Sequence, residues 1–404
     1  MTLKPMPDLQ RTFLSTHRRT RQISRVAQAI WRGDISRYPA FVEAFESRYA
    51  RWVGRAHGLS LCNGTSALEA ALFAAQVGPG DEVIVPACTF HASIDPILNA
   101  GATPIFADVE EKSWTLNPLE VKAKITPRTK AVIVVHLWGI PADMGALMAV
   151  LADRNIDLIE DVSHAHGARW GDRACGAFGR FGVFSLQGSK PIAAGEGAMV
   201  VCDHWEDVVR MSMWGHFDRH SAHFSVIGAE EFGYTGVGYK RRMAPLGALL
   251  ADVDLDYLDD YNRLKQRQVE RLDFELGDLP GIAIARPSRE AQRGGFYQGY
   301  PIQLLGNDLS RTISRATVLS TLKAKGIDAQ PYPFPLHHRL RVYTDLAYRH
   351  HALTGRPAPP TEPNTFSLPI TESLAERLIL LSPRYLLNLR AADLKTLRTV
   401  LGAL

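Results

Sequence analysis

The rest of this chain is organised around a segment that begins Asp161-Val162-Ser163-His164-Ala165-His166-Gly167-Ala168. The same segment continues with Phe184-Ser185-Leu186-Gln187-Gly188-Ser189-Lys190 and closes with Gly195-Glu196-Gly197. Asp161 therefore ends one apolar run, and Lys190 follows a second apolar run in a small, polar, glycine-rich setting.

An acid and a lysine arranged in this way are typical of a pyridoxal phosphate site. The lysine amine forms a Schiff base with the cofactor aldehyde, and the carboxylate keeps the ring nitrogen protonated so that the ring accepts electrons. Each residue alone has an ordinary explanation, since Asp often caps a strand end and Lys is usually a solvated surface group. The functional interpretation gains its weight from a second feature, a candidate phosphate site.

That second feature is a short apolar strand, residues 59–62, followed by an Asn-Gly turn and a predicted helix from Thr65. The helix is expected to stop near Gly78-Pro79-Gly80. A helix N-terminus with free amides and small hydroxyl residues is a ready anion site. Plain N-capping by Thr65 or Ser66 needs no ligand, so both interpretations stay open at this point.

Apolar segments without polar alternation are separated by helical patterns along the first half of the chain. The predicted strands are 82–86, 103–109, 129–136, 156–161 and 198–202, and the predicted helices between them are 93–100, 118–125 and 143–154. This pattern indicates an α/β fold with a mostly parallel sheet covered on both faces. Functional groups of such folds gather at the carboxyl ends of the strands. We therefore expect one crevice to hold residues 63–66, Phe90, His136, Asp161 and Lys190.

The chain is expected to divide into two domains. Residues 1–255 form an N-terminal helical arm and a large α/β domain, and residues 256–404 form a linker helix and a smaller α+β domain. Helical patterns cover 8–53, with a turn at 33–39, and also 244–276. Strand-like 296–304, a helix near 311–325 and helices from about 370 to the end are predicted for the second domain, and 214–240 is expected to be a long loop.

Composition excludes several classes of protein. With 404 residues, 46% hydrophobic residues and a net charge of only +4, the chain is an ordinary globular protein, with no electrostatic sign of nucleic-acid or membrane binding. The basic run from His17 to Arg25 is expected to be a solvated helix face or an inter-subunit contact. The four cysteines lack metal-type spacing, and no apolar run reaches the ~20 residues of a membrane span. These features favour a cytoplasmic location.

The motifs together resemble those of the DegT/DnrJ/EryC1/StrS aminotransferases, a pyridoxal-phosphate family that aminates keto sugars and cyclitols. They are residues 63–68, 80–86, 101–104, Glu160-Asp161, Phe184-Ser185 with Lys190, and Gly195-Glu196-Gly197, in the family's order from about residue 38 onward. The resemblance implies an aspartate-aminotransferase-like large domain with a seven-stranded sheet. It also implies a homodimer in which each site is built from two subunits.

The resemblance assigns roles residue by residue. Lys190 would carry the Schiff base and shuttle the proton, and Asp161 would pair with the ring nitrogen. The implied phosphate contacts are Gly64 or Thr65, Ser66 and Ser185. The other implied cofactor contacts are Phe90, which would stack on the ring, Gln187, and His164, which stands where most members have a glutamine near the phenolic oxygen.

Lys240 departs from the family pattern. It takes the position of an asparagine that reaches the neighbouring subunit's phosphate, where a lysine still neutralises charge but lacks the amide's geometry. The combination of this lysine with Ser163-His164-Ala165-His166-Gly167 and Phe184-Ser185-Leu186-Gln187 resembles the branch that acts on carbocycles more than the nucleotide-sugar branch. The carbocycle branch includes the scyllo-inosose and 2-deoxy-scyllo-inosose aminotransferases and the related aminohydroxybenzoate synthases. Tyr332, His337 and His338 are candidate substrate contacts, with an ordinary surface loop as the equally open explanation.

The expected activity is transfer of an amino group from L-glutamine or L-glutamate to a ketone on a polyhydroxylated ring, as in antibiotic and other secondary-metabolite biosynthesis. A nucleotide-keto-sugar aminotransferase and a 3-amino-5-hydroxybenzoate synthase-like enzyme are the alternatives within the family. A related dehydratase is disfavoured because it replaces the lysine with histidine. A non-catalytic cofactor-binding regulator is disfavoured because no DNA-binding appendage is visible in the sequence.

Overall fold

The structure, a computed structural model, describes residues 8–305, 314–357 and 364–404. Its helices are α1 Asp8–Arg32, α2 Ala40–Val53, α3 Gly64–Ala74, α4 Asp95–Asn99, α5 Pro118–Lys124, α6 Met144–Leu151, α7 Trp205–Gly215, α8 Pro245–Leu255, α9 Leu258–Leu276, α10 Arg315–Ala324, α11 Arg341–Thr344, α12 Leu346–Thr354, α13 Pro369–Arg377 and α14 Ala391–Leu401. None of the helices in these ranges is both long and apolar enough to cross a bilayer.

The strands alternate with these helices in the first half of the chain and are more scattered in the second. They are β1 His57–Leu61, β2 Glu82–Pro86, β3 Thr103–Ala107, β4 Thr129–Val135, β5 Asp157–Asp161, β6 Arg169–Trp170, β7 Arg173–Ala174, β8 Phe181–Ser185, β9 Ala198–Cys202, β10 Ile282–Ile284, β11 Ala291–Gln292, β12 Tyr300–Leu304, β13 Ala329–Pro331 and β14 Leu378–Leu381.

The large central sheet has the strand order β1-β9-β8-β5-β4-β2-β3. The strands from β8 to β3 pair in parallel, whereas β9 runs antiparallel to both β8 and β1. The predicted α/β class with a mostly parallel seven-stranded sheet is confirmed. Because parallel strands all end at the same edge, the residues that follow β2, β4, β5 and β8 are brought together there.

Both faces of this sheet are covered, which explains why β2, β4 and β9 carry apolar residues on both faces. On β4, Ile133 packs into the core formed with α3 and α4, while Val132 and Val134 point the other way, into the core formed with α6. Successive side chains of a strand alternate between faces, so each of these β4 residues is buried whichever way it points.

A smaller antiparallel sheet, in the order β10-β12-β14-β13, follows in the second half of the chain. Its core includes Val269, Leu272 and Leu276 of α9, together with residues of α10 and α14. The residues of α8, in contrast, pack into the core of the large sheet. This packing supports a domain division between residues 255 and 256, which we retain as a proposal.

The basic residues of α1 form ion pairs within the chain, instead of a purely solvated face. Arg18 lies 3.4 Å from Asp254, and Arg21 lies 2.8 Å from Asp256. These acids belong to α8 and the residue after it, so the pairs attach α1 to α8. The prediction of a solvated face overlooked this pairing because α1 and α8 are far apart in sequence.

The prediction of a long loop at 214–240 was wrong in part. The helix α7 extends to Gly215, and short 3-10 helices follow at Ser221–Ile227 and Glu230–Phe232. Arg219 forms a buried two-bond ion pair with Glu46, at 2.9 and 2.6 Å, which fixes this segment against α2. Such a pair between distant residues leaves no periodic pattern in the sequence.

Two further predictions needed correction in the second half of the chain. The helical region 244–276 is broken at Tyr257 into α8 and α9, and a strand, β14, lies within the stretch that was predicted to be helical after residue 370. The β14 strand is a short, fully buried apolar run. Periodicity cannot separate such a run from one turn of a buried helix.

Candidate active site

A cavity of about 530 Å³ opens at the carboxyl ends of the central strands. Val135, Asp161 and Ser185, which end β4, β5 and β8, all line it. From the predicted site, the lining contains Gly64, Thr65, Phe90, Asp161, His164, Ser185, Gln187 and Lys190. The structure therefore brings most of the predicted residues to one place.

Asp161 is held in a fixed orientation at the end of β5. Its Oδ2 accepts a hydrogen bond from the Ser93 hydroxyl at 2.8 Å, and its Oδ1 accepts one from the Ser163 backbone N–H at 3.0 Å. The residue is buried, so these bonds take the place of water around the carboxyl group. The acid can therefore present one defined face to a ligand.

Lys190 lies on the turn that follows β8, where its backbone N–H donates to the Gln187 carbonyl at 2.8 Å. Burial lowers the pKa of the Lys190 amine to about 7, and the negative charge of Asp161 acts in the opposite direction. A lysine with such a pKa is uncharged in part at neutral pH. An uncharged amine is the form that attacks a carbonyl carbon, so burial prepares Lys190 as a nucleophile.

His164 presents an unpaired buried polar atom in the same cavity. Its Nδ1 is buried without a hydrogen-bond partner among the described residues. Burial lowers the pKa of the ring well below its usual range, and the charges of Lys190 and His166 act in the same direction. The ring is therefore neutral, and its unpaired nitrogen is available to accept a hydrogen bond from a ligand in the cavity or to donate one to it.

The N-terminus of α3 forms another wall of the cavity. Asn63 is its N-cap, and the Asn63 side-chain oxygen accepts from the Ser66 N–H at 2.9 Å, so the alternative explanation of capping by Thr65 or Ser66 does not hold. Thr65 remains free to face the cavity, which it lines. A Cβ on Gly64 would lie 3.0 Å from that of Ser185, so glycine lets this turn approach the end of β8.

Ser185, Gln187 and Phe90 complete the predicted set. The Ser185 hydroxyl accepts a long hydrogen bond, 3.4 Å, from the Gln187 N–H. The Gln187 side-chain oxygen accepts from the Ser189 N–H at 2.9 Å. Phe90 is 48% exposed, which is unusual for a core aromatic and suits a ring that packs against a ligand at the cavity mouth.

These residues fit pyridoxal phosphate. The cavity offers a nucleophilic lysine, a fixed buried acid, an unpaired neutral imidazole and a helix N-terminus suited to phosphate. Over the described ranges, no group of three or more His, Cys, Asp or Glu side chains is arranged to hold a metal ion.

The sequence matches the DegT/DnrJ/EryC1/StrS aminotransferase family over residues 17–379. The chain belongs to this family. It is therefore a pyridoxal-phosphate-dependent aminotransferase.

Individual members of the family extend the comparison. The chain is 33% identical over 339 residues to the UDP-N-acetyl-3-dehydro-alpha-D-glucosamine 3-aminotransferase of Acidithiobacillus ferrooxidans, covering 83% of this chain and 81% of that protein. It is 34% identical over 346 residues to the L-glutamine:2-deoxy-scyllo-inosose aminotransferase of Streptoalloteichus tenebrarius, covering 84% and 81%. The crystal structure of 3-amino-5-hydroxybenzoic acid synthase superposes with a TM-score of 0.78 at 26% identity, covering 95% and 96% of the two chains.

Ser66 and His136 lie outside the cavity of this aminotransferase, against expectation. The Ser66 hydroxyl receives a hydrogen bond from Arg241 at 3.2 Å, behind the cavity wall. His136 is fully buried, with Nε2 3.2 Å from Glu160 and Nδ1 accepting from the Ala142 N–H at 3.1 Å. Both residues follow apolar runs as predicted, but their side chains form hydrogen bonds with other residues of the protein and do not line the cavity.

The candidate substrate contacts are also placed elsewhere. Tyr332 is buried in the apolar core, the His337 Nδ1 lies 3.2 Å from the Ala87 carbonyl, and the His338 Nε2 lies 2.9 Å from Glu372. None of the three lines the cavity. The His337 contact joins the second half of the chain to the residue after β2, whereas the His338 contact lies within the second half. The Tyr332 hydroxyl is buried without a hydrogen-bond partner among the described residues, so the placement of the three residues gives no support to a substrate contact.

Lys240 is exposed and lies outside the cavity of its own chain. Its backbone pairs with that of His216 in an isolated bridge. From the sequence, Lys240 is expected to contact the cofactor phosphate in the site of a neighbouring subunit, and this contact stays a prediction.

Sequence reasoning missed several polar residues of the cavity, among them Ser93, His91, Tyr297 and Gln298. Ser93 supports Asp161, His91 is held at 2.7 Å by Asp95, and Tyr297 and Gln298 come from the loop before β12. The glycines of Gly294-Gly295-Phe296-Tyr297-Gln298-Gly299 were a usable signal, because such clusters mark a backbone that approaches other groups closely.

Proposed function

We propose that this enzyme moves an amino group from L-glutamine or L-glutamate to a ketone on a polyhydroxylated ring, a cyclitol or a sugar, in secondary-metabolite biosynthesis. The observation that carries the proposal is the pairing of Lys190, whose pKa burial lowers to about 7, with the fixed acid Asp161 in one cavity. That pairing supports proton transfer at an amine-bearing carbon near neutral pH.

When bound, pyridoxal phosphate supplies an aldehyde carbon that takes up the amino group and a ring that accepts electrons. Lys190 would hold the aldehyde end and then accept and return a proton at Nζ. Asp161 would hold the ring nitrogen, with Ser93 and Ser163 keeping the carboxyl group in place. His164, neutral through burial, would complete its hydrogen bonding with the phenolic oxygen.

The remaining cofactor contacts follow from the cavity walls. Gly64 and Thr65 at the N-terminus of α3, with the Ser185 hydroxyl, would bind the phosphate, and Phe90 would cover the ring. We include Lys240 of a neighbouring subunit as a further phosphate contact, which makes the proposed functional unit a homodimer. Sedimentation tests this point, because a monomer with full activity would exclude the Lys240 assignment.

A cyclitol acceptor has support from relatives and from the charge of the cavity. The 34% identical protein from Streptoalloteichus tenebrarius is named as a 2-deoxy-scyllo-inosose aminotransferase. Among the described residues, the lining holds one lysine, Lys190, and no arginine. A small uncharged ring needs no further cation, whereas a diphosphate is usually bound by arginine or lysine.

A nucleotide-keto-sugar acceptor is the second candidate, because the relative from Acidithiobacillus ferrooxidans is named for one and is 33% identical. A ketone of the 3-amino-5-hydroxybenzoate type is the third candidate acceptor, because the structure of 3-amino-5-hydroxybenzoic acid synthase superposes with a TM-score of 0.78. The test is a screen of the three acceptor classes with L-glutamine and L-glutamate as donors, followed by mass spectrometry of the product. Turnover of a keto-cyclitol supports the cyclitol acceptor, turnover restricted to a nucleotide sugar contradicts it, and turnover of no ketone on a polyhydroxylated ring contradicts the proposal as a whole.

A further inference from the structure

We propose that Tyr297 is a positioning residue for Lys190, and that its ring is the surface on which the lysine amine rests whenever that amine is not bonded to the cofactor. The proposal rests on the proposed function only in using Lys190 as the reacting lysine. It adds a residue that enters the cavity from the loop before β12.

The contact between the two residues is short and face-on. The Lys190 Nζ lies 3.4 Å from the centre of the Tyr297 ring. Cations held over an aromatic face within about 6 Å are attracted by the ring's negative face. Among the described residues, no hydrogen bond or ion pair to Nζ accompanies this contact, so the ring is the direct partner of the amine.

Tyr297 is itself held from three directions. Its hydroxyl lies 3.1 Å from the Ser189 hydroxyl, on the residue next to Lys190. Its ring packs edge-on against His164, with centres 4.6 Å apart, and its backbone N–H donates to the His164 carbonyl at 3.3 Å. The ring is therefore fixed relative to both the lysine turn and the strand end that carries Asp161.

The backbone around Tyr297 is strained, which points to a function. Phe296 and Gln298 have φ values of 52° and 69°, a region that residues with a side chain rarely adopt. A Cβ on Gly295 would lie 2.6 Å from the backbone nitrogen of His166, and a Cβ on Gly299 would lie 1.8 Å from the backbone oxygen of Leu381. Strain of this kind persists where the surroundings enforce it and is concentrated at functional sites.

Further bonds enforce this conformation. The Gly295 N–H donates to the Asn262 side-chain oxygen at 2.9 Å, and the Lys265 amine donates to the Gly295 carbonyl at 2.7 Å. Both partners belong to α9, the helix that joins the two parts of the chain. The loop thus delivers one aromatic ring from the second domain to the reacting lysine of the first.

The arrangement gives the lysine a defined place during the reaction. Once the substrate's amino group has replaced it, the amine needs a position from which it can accept and return a proton. The ring face attracts the protonated form, while burial favours the neutral form. Together they keep both forms of Lys190 accessible, at a fixed place inside the cavity.

The first test measures the pKa of Lys190 in cofactor-free protein from the pH dependence of amine modification, read on the Lys190 peptide by mass spectrometry. In Y297L the attraction of the ring is lost, so the pKa is expected to fall by about half a unit, and in Y297F it is expected to stay as in wild type. His91, Asp161, His164 and Glu196 are titratable groups of the cavity lining, His166 lies beside it, and all five are unchanged in both variants.

The second test separates positioning from folding. Y297L is expected to lower kcat about tenfold with little change in KM for the amino donor, and Y297F is expected to recover most of that loss. Y234L, at an exposed tyrosine outside the cavity, is the matched control. If Y297L fails to fold, Y297M is used instead, because the methionine side chain is longer and fills more of the space of the tyrosine ring. The same fall in the pKa of Lys190 is expected in Y297M.

An unchanged or raised pKa of Lys190 in Y297L or Y297M would overturn the proposal. So would a loss in Y297F as large as that in Y297L, because the hydroxyl and not the ring face would then be responsible. The pKa measurement uses neither cofactor nor substrate. It therefore separates failure of this proposal from failure of the proposed acceptor.

Discussion

The Ser93 hydroxyl donates a hydrogen bond to the carboxyl group of Asp161, and the two oxygens are 2.8 Å apart. The bond links two segments at the carboxyl edge of the central sheet. Ser93 follows β2, and Asp161 ends β5. The acid that would hold the cofactor ring is thus oriented by a residue that the family motifs did not single out.

Replacing Ser93 with alanine is expected to weaken cofactor binding about tenfold. A hydrogen bond to a charged group contributes roughly 1.5–3 kcal/mol, and part of this is recovered by water. The dissociation constant of pyridoxal phosphate, from absorbance titration, measures the effect. S320A, an exposed hydroxyl on α10, is the control. Unchanged affinity in S93A would mean that the orientation of Asp161 does not depend on this bond.

Replacing Asp161 with asparagine is expected to lower the pKa of Lys190 below its value of about 7. The negative charge of Asp161 raises this pKa against the effect of burial, and asparagine removes the charge while keeping a similar shape. The rate of amine modification against pH, in cofactor-free protein, gives the value. D157N, on the same strand but outside the cavity, is the matched control. A rise in the pKa of Lys190 in D161N would contradict the assigned electrostatics.

Replacing Lys190 with methionine is expected to stabilise the cofactor-free protein in a pH-dependent way. The pKa of Lys190 is lowered from 10.5 to about 7 by burial, so the unfolded chain binds more protons between these values. The cost of the buried ammonium is present in full below pH 7 and disappears as the pH rises toward 10.5. The advantage of K190M in denaturant unfolding should therefore be larger at pH 6.5 than at pH 9.5. An advantage that grows with pH has the wrong sign.

Replacing Glu46 with alanine is expected to reduce the free energy of unfolding by about 3 kcal/mol. The variant leaves Arg219 buried without its two-bond partner, and breaking a buried pair in this way typically costs about 3–5 kcal/mol. Denaturant unfolding measures the loss. E43A removes the exposed second partner of the same arginine, at 3.7 Å, and should have a small effect. Equal losses in the two variants would show that burial of the pair is not the cause.

Much of the large domain was predictable because its signals are local. β2 and β4 contain the apolar runs 83–85 and 131–135 between helical patterns, and the position of Asp161 shortly after the apolar pair Leu158-Ile159 of β5 places it at the sheet edge. The same reasoning applied to β8 places Lys190 near this edge of the sheet, because Lys190 lies shortly after the end of that strand. These residues could be assigned to one crevice before their distances were known.

The rest depended on contacts between distant parts of the chain. Tyr297 and Ser189 are 108 positions apart, and nothing in either local pattern indicates that they meet. His136 has the same local signal as Asp161, yet its ring is turned into the core by Glu160 and the Ala142 N–H. Sequence position at a strand end fixes where a residue lies, but not which side of the sheet edge its side chain faces.

The most direct test of the central claim is to locate the lysine that binds the cofactor. The protein is incubated with pyridoxal phosphate, reduced with borohydride to fix the carbon–nitrogen bond, digested and mapped by mass spectrometry. We predict the reduced cofactor on Lys190. Lys265 is the sharpest alternative, because it is also buried and its pKa is lowered to about 8. Labelling of Lys265, or of no lysine, would contradict the account.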